Sequence, residues 1–128
     1  MNGPVDPALA QLLRAYGDGL FDGDVARLRA LFHPQAMLYG EVRGQPYCKT
    51  LAQYLDVVAA RRSPRALGEE HGISVLSIEV VHTIALARMR CVMLGFDYTD
   101  YLSLVNADGR WRIVSKVFTE APRRTIGA

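Results

Sequence analysis

The sequence predicts an α+β fold in which three helices cover one face of a curved antiparallel sheet of about five strands. Apolar residues recur at helical spacing in the first half of the chain. From Glu69 onward they recur at about every second residue, as they do in strands. The connections in the second half are short, which is how antiparallel neighbours are joined. A bent sheet of this kind curls around its helices, and we expect a pocket between its inner face and the helices.

Two helices are predicted before the first strand. The first begins at Asp6-Pro7, with aspartate as its cap and proline in its first position. Gly23 ends this helix and Asp24 caps a second, short one, which stops at His33-Pro34 because the residue before proline disfavours the α conformation. The first helix carries a single apolar stripe at spacings of three and four residues, formed by Leu9, Leu12, Leu13, Tyr16 and Leu20.

The first strand is predicted at residues 36–43, closed by a turn at Gly44-Gln45-Pro46. A third helix opens with a capping box in which Gln53 follows Thr50 by three residues. Four antiparallel strands come next. The apolar phase shifts at Val75-Leu76, which predicts a bulge or a bend.

Three chain reversals are predicted between the later strands, at His82-Thr83, at Gly95-Phe96 and at Asn106-Ala107-Asp108-Gly109. The last of these is rich in Asn and Asp and ends in glycine, which suits a hairpin turn. It joins the two halves of a long hairpin over residues 97–120.

Composition limits the function classes. A chain of 128 residues predicts one domain spanning 1–128, with residues 1–6 and 121–128 frayed. A net charge of +2 is too small to favour nucleic acid or an anionic membrane as partner. Because two cysteines do not make a disulfide framework and no apolar run approaches the ~20 residues of a membrane span, we expect a cytoplasmic protein.

The order of these elements resembles a known superfamily. Gly23-Asp24, the helix end LFHPQA and the final DYLSLVNADGRWRIVSKVF are similar to the nuclear transport factor 2-like proteins, in particular their small bacterial branch of putative lumazine-binding proteins. The resemblance covers residues 9–120 and implies a cone-shaped fold. That fold carries isomerases, dehydratases, cyclases, ligand carriers and interaction modules. It also implies a homodimer through the outer face of the sheet, and the branch name implies a flavin-precursor ligand.

The steroid isomerases of this superfamily offer a direct comparison. Their oxyanion-donating tyrosine is similar in position to Tyr16, eight residues before Asp24. Their proton-abstracting carboxylate lies near the end of the first strand, where this chain has Tyr39-Gly40-Glu41. The matching residue is Gly40, so the isomerase base is missing and that chemistry is not transferred.

Asp100 is the strongest candidate for chemistry. Strand alternation puts it in an apolar row with Phe96, Tyr98, Leu102 and Leu104. If this row faces the helices, Asp100 can act as a general acid or base. The alternative is a structural carboxylate that pairs with Lys116, with Arg88 or with a tyrosine.

Tyr16 and Lys116 each have two interpretations. Tyr16 either donates a hydrogen bond to a ligand carbonyl or oxyanion, or packs in the core with its hydroxyl satisfied by a neighbour. Lys116 shares a predicted face with Val114 and Phe118. It either holds an anionic ligand or extends its ammonium to the rim.

Metal chemistry is not expected. His71 and His82 lie near Glu69 and Glu70, but adjacent strand residues point to opposite faces, so Glu70 and His71 cannot converge on one ion. His33, before a proline at a helix end, is expected to contact the backbone or the helix dipole. No metal and no cofactor is predicted.

Two other groups are expected to be structural. Cys48 and Cys91 lack a nearby helix start or cation cluster, so both are interpreted as small apolar fillers. Arg61, Arg62 and Arg65 cluster after the third helix, where a solvated helix end is favoured over an anion site.

The sequence therefore predicts a protein that binds a small, partly apolar or aromatic molecule. If it is catalytic, we expect a cofactor-independent acid–base enzyme of the isomerase, dehydratase or cyclase type, with Asp100 as acid or base and Tyr16 polarising a carbonyl. The alternative is a non-catalytic dimerisation or partner-binding module whose cavity is filled by its own side chains. Asp100 and Lys116 would be the polar anchors of a ligand, and the predicted walls are Tyr16, Phe32, Tyr39, Tyr54, Tyr98 and Phe118.

Overall fold

The structure, a computed structural model, describes residues 6–121. Within them the chain forms three helices and a curved, unclosed sheet of six strands. The helices are α1 (Pro7–Asp22), α2 (Val25–Leu31) and α3 (Leu51–Ala60). The strands are β1 (Phe32–Val42), β2 (Gln45–Thr50), β3 (Ile73–Val81), β4 (Ile84–Met93), β5 (Phe96–Ala107) and β6 (Arg110–Glu120).

The α+β class is confirmed, and the strand count is corrected from about five to six. The extra strand is β2, because the turn after β1 occupies only Arg43 and Gly44, both at positive φ (52° and 77°). Gln45 and Pro46 therefore begin a strand instead of completing a turn. Since β2 is at the edge of the sheet, proline is tolerated there. β1 also begins earlier than predicted, so that His33-Pro34 lies within the strand.

The helix boundaries follow the local signals. Asp6 caps α1 by accepting from the Ala8 amide at 2.9 Å, and its second oxygen accepts from Trp111 Nε1 at 3.1 Å, which ties the helix start to β6. Gly23 ends α1 in the left-handed conformation, at φ 67°. The predicted capping box of Thr50 and Gln53 is present.

The two inner limits of the termini that were predicted to fray make defined contacts. Asp6 is fixed by the contacts above, and the Ala121 amide donates to the Asp97 carbonyl at 2.7 Å. The remaining residues of that prediction lie outside the described range.

The sheet has the order β2-β1-β6-β5-β4-β3, with β1 parallel to β6 and the other neighbours antiparallel. The predicted bulge in β3 is confirmed by a register shift between Val75 and Ser77. The reversal at His82-Thr83 is confirmed too. The reversal predicted at Gly95-Phe96 lies one residue earlier, and the tip of the last hairpin is Asp108-Gly109, both at positive φ.

A second bulge, which was not predicted, changes the inner face of β6. The β5–β6 register shifts so that Ser103 faces Ser115 while Leu104 faces Ile113, which leaves Val114 as an extra residue. Ile113, Lys116 and Phe118 are consequently the buried residues there. The predicted shared face of Val114 and Lys116 is wrong.

The core lies between the helices and the inner face of the sheet. α1 supplies its predicted stripe, and β4 alternates strictly, with Ala85, Ala87, Met89, Cys91 and Met93 buried. The outer face of the sheet instead exposes large apolar side chains: Tyr39, Val81, Ile84, Leu86, Val92, Tyr101 and Val117. No helix within residues 6–121 is long and apolar enough to cross a membrane.

Candidate functional site

Asp100 lies at the middle of β5, opposite Met89 of β4 and Phe118 of β6. Its inward orientation is confirmed, because the residue is only 1% exposed and alternates with buried Leu102 and Leu104. A carboxylate in that position is costly unless it is paired and hydrogen-bonded.

Three side chains converge on one oxygen of this carboxylate. Tyr16 donates its hydroxyl hydrogen to Asp100 Oδ2 at 2.7 Å, and the Cys91 thiol donates to the same oxygen at 3.3 Å. Lys116 Nζ lies 3.5 Å from it. The other oxygen, Oδ1, receives no hydrogen bond from the described residues, so it is the one left for a ligand.

Lys116 is the buried counter-charge of Asp100, with 6% of its surface exposed. Its ammonium donates to the Tyr54 hydroxyl at 3.3 Å. It also lies 4.7 Å from the ring centroid of Tyr54, 5.0 Å from that of Phe118 and 5.6 Å from that of Tyr16. Aromatic faces at these distances stabilise a desolvated cation. The ammonium is therefore held inside the protein and does not extend to the rim.

Burial and the charges around Asp100 favour the protonated forms of three side chains, those of Lys116, Tyr16 and Cys91. Burial is the largest single effect on the pKa of Lys116 and lowers it, but the Asp100 carboxylate, Tyr54 and Cys91 together more than offset this, and the net pKa is raised. Burial and then the charge of Asp100 raise the pKa of Tyr16 well above its ordinary value. The same two causes raise the pKa of the Cys91 thiol. At neutral pH the site thus contains an ammonium, a neutral phenol and a neutral, unreactive thiol.

These shifts predict a loss of stability in alkali. The native state retains protons that the unfolded chain releases near the ordinary pKa values of 9.0, 10.0 and 10.5 for Cys91, Tyr16 and Lys116. Their contribution is complete below about pH 9 and is lost as pH rises, by up to ~1.4 kcal/mol per pH unit for each group. Urea unfolding between pH 7 and 10.5 measures this slope, and Tyr16→Phe should make it shallower. A free energy of unfolding that stays level or rises over this range would contradict the assignment.

A cavity of about 140 Å³ opens beside Asp100 and Lys116. Its size is close to the ~150 Å³ of an engineered apolar cavity that holds benzene, so about one six-membered ring fits inside. Its wall is mostly apolar and aromatic, and consists of Leu20, Val42, Tyr47, Tyr54, Val57, Arg61, Cys91, Met93, Tyr98, Asp100, Lys116 and Phe118.

The comparisons with known proteins agree with this fold. A model of the family described as "Putative lumazine-binding" matches residues 5–119. The chain belongs to this family. It is thereby a member of the nuclear transport factor 2-like superfamily, as the sequence resemblance predicted.

Solved structures of other superfamily members share the fold of this lumazine-binding family protein. A nuclear transport factor 2-like protein of unknown function from Shewanella baltica OS155 superposes with a TM-score of 0.78 at 26% identity, over 91% of this chain and 93% of that one. A second, from Silicibacter pomeroyi DSS-3, gives a TM-score of 0.75 at 22% identity, over 89% and 93%. In sequence, the chain is 29% identical to an "Aldolase FrzH" of Cladobotryum sp over 108 residues, which is 84% of this chain and 85% of that relative.

The structure brings five of the predicted site residues of this family member to the cavity wall: Tyr54, Tyr98, Asp100, Lys116 and Phe118. Tyr16 lies behind Asp100 and reaches the site through its hydrogen bond. The prediction that Phe32 lines the cavity is wrong. Phe32 is buried between the rings of Tyr16 and Tyr54, with ring centroids 6.2 and 6.4 Å away, and is not part of the wall.

The prediction that Tyr39 lines the cavity is wrong as well. It is 46% exposed, and its strand partner across the β1–β6 pairing is Val117, which is exposed as well. Alternation along β1 buries Leu38 and turns Tyr39 to the outer face. The prediction failed because the start of β1, and hence its phase, was not fixed by the sequence.

Sequence reasoning missed two wall residues with polar side chains. Tyr47 lies on β2, the strand interpreted as a turn, and its pKa is raised to about 12 by burial. The available signal was that Tyr47 is a large aromatic residue between Pro46 and Cys48, whose side chains are exposed on the other face of the strand. Cys48 is exposed, so its interpretation as a buried filler is wrong, whereas Cys91 is buried. Arg61 is the other wall residue, which the sequence analysis interpreted as part of a solvated helix end.

Gly40 explains why the isomerase base is absent in this family member. It pairs with Phe118 across β1 and β6, and a Cβ at this position would overlap the Phe118 carbonyl oxygen. Backbone cannot move aside as a flexible side chain can.

Gly40→Asp is therefore expected to destabilise the fold by more than the ~1–3 kcal/mol typical of overpacking, and not to install the isomerase base. Urea unfolding of Gly40→Asp beside Gly44→Asp tests this. Gly44, unlike Gly40, has positive φ, and no atom lies within 4 Å of a Cβ added there. Equal losses of stability in the two variants would contradict the steric explanation.

The acidic and histidine side chains near the start of β3 have other contacts. Glu69 accepts from the Leu94 amide at 3.0 and 3.2 Å, and His71 Nε2 lies 3.1 Å from Asp18. His33 Nδ1 accepts from the Gln35 amide at 3.1 Å. Within residues 6–121, no three His, Cys, Asp or Glu side chains are grouped closely enough to hold a metal ion.

Proposed function

We propose that this protein binds a small, mostly apolar carbonyl compound and catalyses proton transfer at the carbon beside the carbonyl. The observation that carries the proposal is the Asp100 carboxylate. It is buried at the wall of a cavity that fits about one ring, and it is anchored through Oδ2 with Oδ1 left for the ligand. A positioned, desolvated carboxylate is a general base.

The proposed step is enolisation. Asp100 takes a proton from the α-carbon, the C–H electron pair forms a carbon–carbon double bond, and the carbonyl π pair moves onto oxygen. The Tyr54 hydroxyl and the Lys116 ammonium stabilise the enolate oxygen. Return of the proton to another carbon completes an isomerisation. Alternatively, the enolate carbon forms a bond to a second carbonyl carbon, and the resulting alkoxide takes up the proton, which completes an aldol addition.

This proposal gives Tyr16 a different role from the one expected from the sequence. Its hydroxyl hydrogen is donated to Asp100 at 2.7 Å, which supports a role in positioning the base and not in polarising the carbonyl. Tyr54 replaces it in this proposal. The oxygen of Tyr54 accepts from Lys116, which leaves its own proton for a ligand oxygen in the cavity.

The aldolase name of the Cladobotryum relative supports the aldol branch. The isomerisation branch rests on the geometry of Asp100, because the base of the superfamily's steroid isomerases is missing here. Both branches share the enolate. A test of the shared step is therefore independent of which product the cell makes.

The test is hydrogen–deuterium exchange at the α-carbons of cyclohexanone, acetophenone and phenylacetone, followed by proton NMR in D₂O with and without the protein. We expect exchange above the buffer rate for at least one of these ketones, saturable in ketone. If all three exchange at the buffer rate while a thermal shift shows that one binds, the protein is a carrier and the catalytic proposal is wrong.

A non-catalytic role is the second candidate, and the apolar wall of the cavity favours a ligand carrier. The cavity has space for a ligand, which speaks against a module filled by its own side chains.

We also propose that a second copy of the chain covers the exposed apolar residues of the outer sheet face, since such patches mark interaction sites. Sedimentation equilibrium should show a dimer that Leu86→Asp dissociates. A cytoplasmic location stays a prediction from the sequence.

A further inference from the structure

Arg61 is the third charged residue on the cavity wall. It follows α3 directly, and its amide donates to the Val57 carbonyl at 3.2 Å, so the last turn of the helix fixes its backbone. The residue is half-buried. A guanidinium in this position reaches a ligand without leaving the helix end.

The arginines next to Arg61 have other partners. Arg62 donates to the Ala66 carbonyl at 3.2 Å, and Arg65 Nε lies 2.6 Å from Asp22 while its guanidinium covers the Phe21 ring at 5.0 Å. Within residues 6–121, no acidic side chain pairs with Arg61. The structure thus separates Arg61 from a cluster that the sequence grouped as one solvated helix end.

The charges on the cavity wall do not balance. Asp100 and Lys116 neutralise each other at 3.5 Å, which leaves the charge of Arg61 without a counter-charge on the wall. Its field extends into the cavity, where it acts to lower the pKa of Tyr47 and of Tyr98, against the larger effect of burial. Glu120 and Arg43 also act on Tyr98, with opposite signs, but neither lines the cavity.

We propose that Arg61 binds a carboxylate of the substrate, whose class is then a small carboxylic acid with an apolar or aromatic body and a carbonyl group. The guanidinium fork matches a carboxylate in a bidentate geometry. The naming of a keto acid rests on the proposed function, because the carbonyl is required only for the chemistry at Asp100. The carboxylate site itself rests on Arg61 alone.

Calorimetric titration with phenylacetate and with its neutral counterpart phenylacetamide tests the site. We expect the wild type to prefer phenylacetate by about tenfold or more, as a charge-assisted contact provides. Arg61→Gln should abolish that preference by weakening phenylacetate binding much more than phenylacetamide binding. Arg62→Gln removes the same charge one residue away and should keep the preference.

Three outcomes overturn the proposal: equal binding of the two probes to the wild type, an equal loss in the two variants, or a preference that survives Arg61→Gln. The result is separable from the proposed function. A preference that depends on Arg61, together with ketone exchange at the buffer rate, keeps the anion site and rejects the catalysis. Ketone exchange above the buffer rate, together with no preference for phenylacetate, keeps the catalysis and rejects the anion site.

Discussion

Asp100→Asn is expected to lower the rate of ketone α-proton exchange by about 10²–10⁴-fold. An amide has nearly the same shape as the carboxylate but cannot accept the proton. The exchange assay of the wild type and the variant at equal concentrations of folded protein measures the effect. The folded fraction must be checked by circular dichroism, since the substitution also removes the counter-charge of Lys116.

Tyr16→Phe is the matched control for that prediction. It removes one hydrogen bond to Oδ2 and keeps both charges of the Asp100–Lys116 pair. If Tyr16 only positions the base, the variant should retain exchange to within about tenfold, because one hydrogen bond between side chains contributes ~1 kcal/mol. A loss in Tyr16→Phe as large as that in Asp100→Asn would assign the proton transfer to the tyrosine.

Lys116→Met is expected to lower the free energy of unfolding by about 3–5 kcal/mol. Methionine fills a similar volume, but the carboxylate of Asp100 is left buried without its cation. The double variant Asp100→Asn/Lys116→Met should recover much of this loss, because no unpaired charge then remains. Urea unfolding of the wild type, the two single variants and the double variant closes the cycle.

An exposed ion pair serves as the control for this cycle. Arg90 Nη2 lies 2.7 Å from Asp97 Oδ2, and about half of the arginine side chain is exposed. Arg90→Met should cost much less than Lys116→Met, because solvent screens the charge that is left. Comparable losses at the two positions would show that burial does not set the cost of breaking the Asp100–Lys116 pair.

Local signals were sufficient for the helices and for the row of β5 residues that share a face with Asp100. The Asp6 and Thr50 caps set the starts of α1 and α3, and alternation grouped Asp100 with apolar residues, but only the structure shows that this face points inward. The structure shows the pairing of Asp100 with Lys116 and Tyr16 that the structural interpretation expected, and the acid–base role of Asp100 stays a prediction.

The errors came from positions where one extra or one missing residue changes which face of the sheet the neighbouring side chains occupy. Val114 forms a bulge in β6 that no local pattern marks, and a two-residue turn at Arg43-Gly44 made β2 a strand. Such slips move side chains to the opposite face of a sheet, as happened to Tyr39. The position of Arg61 depends on where α3 packs across the sheet, which is a tertiary property that spacing does not encode.

The central claim is that a small molecule occupies the cavity beside Asp100. Titration of ¹⁵N-labelled protein with phenylacetone, followed by amide chemical shifts, tests it most directly. The account predicts that saturable shifts concentrate at Cys91, Met93, Asp100 and Phe118, and that Ser77 and Leu86 on the outer face stay unchanged. Shifts confined to the outer face, or no saturable shift at any of the cavity amides, would contradict it.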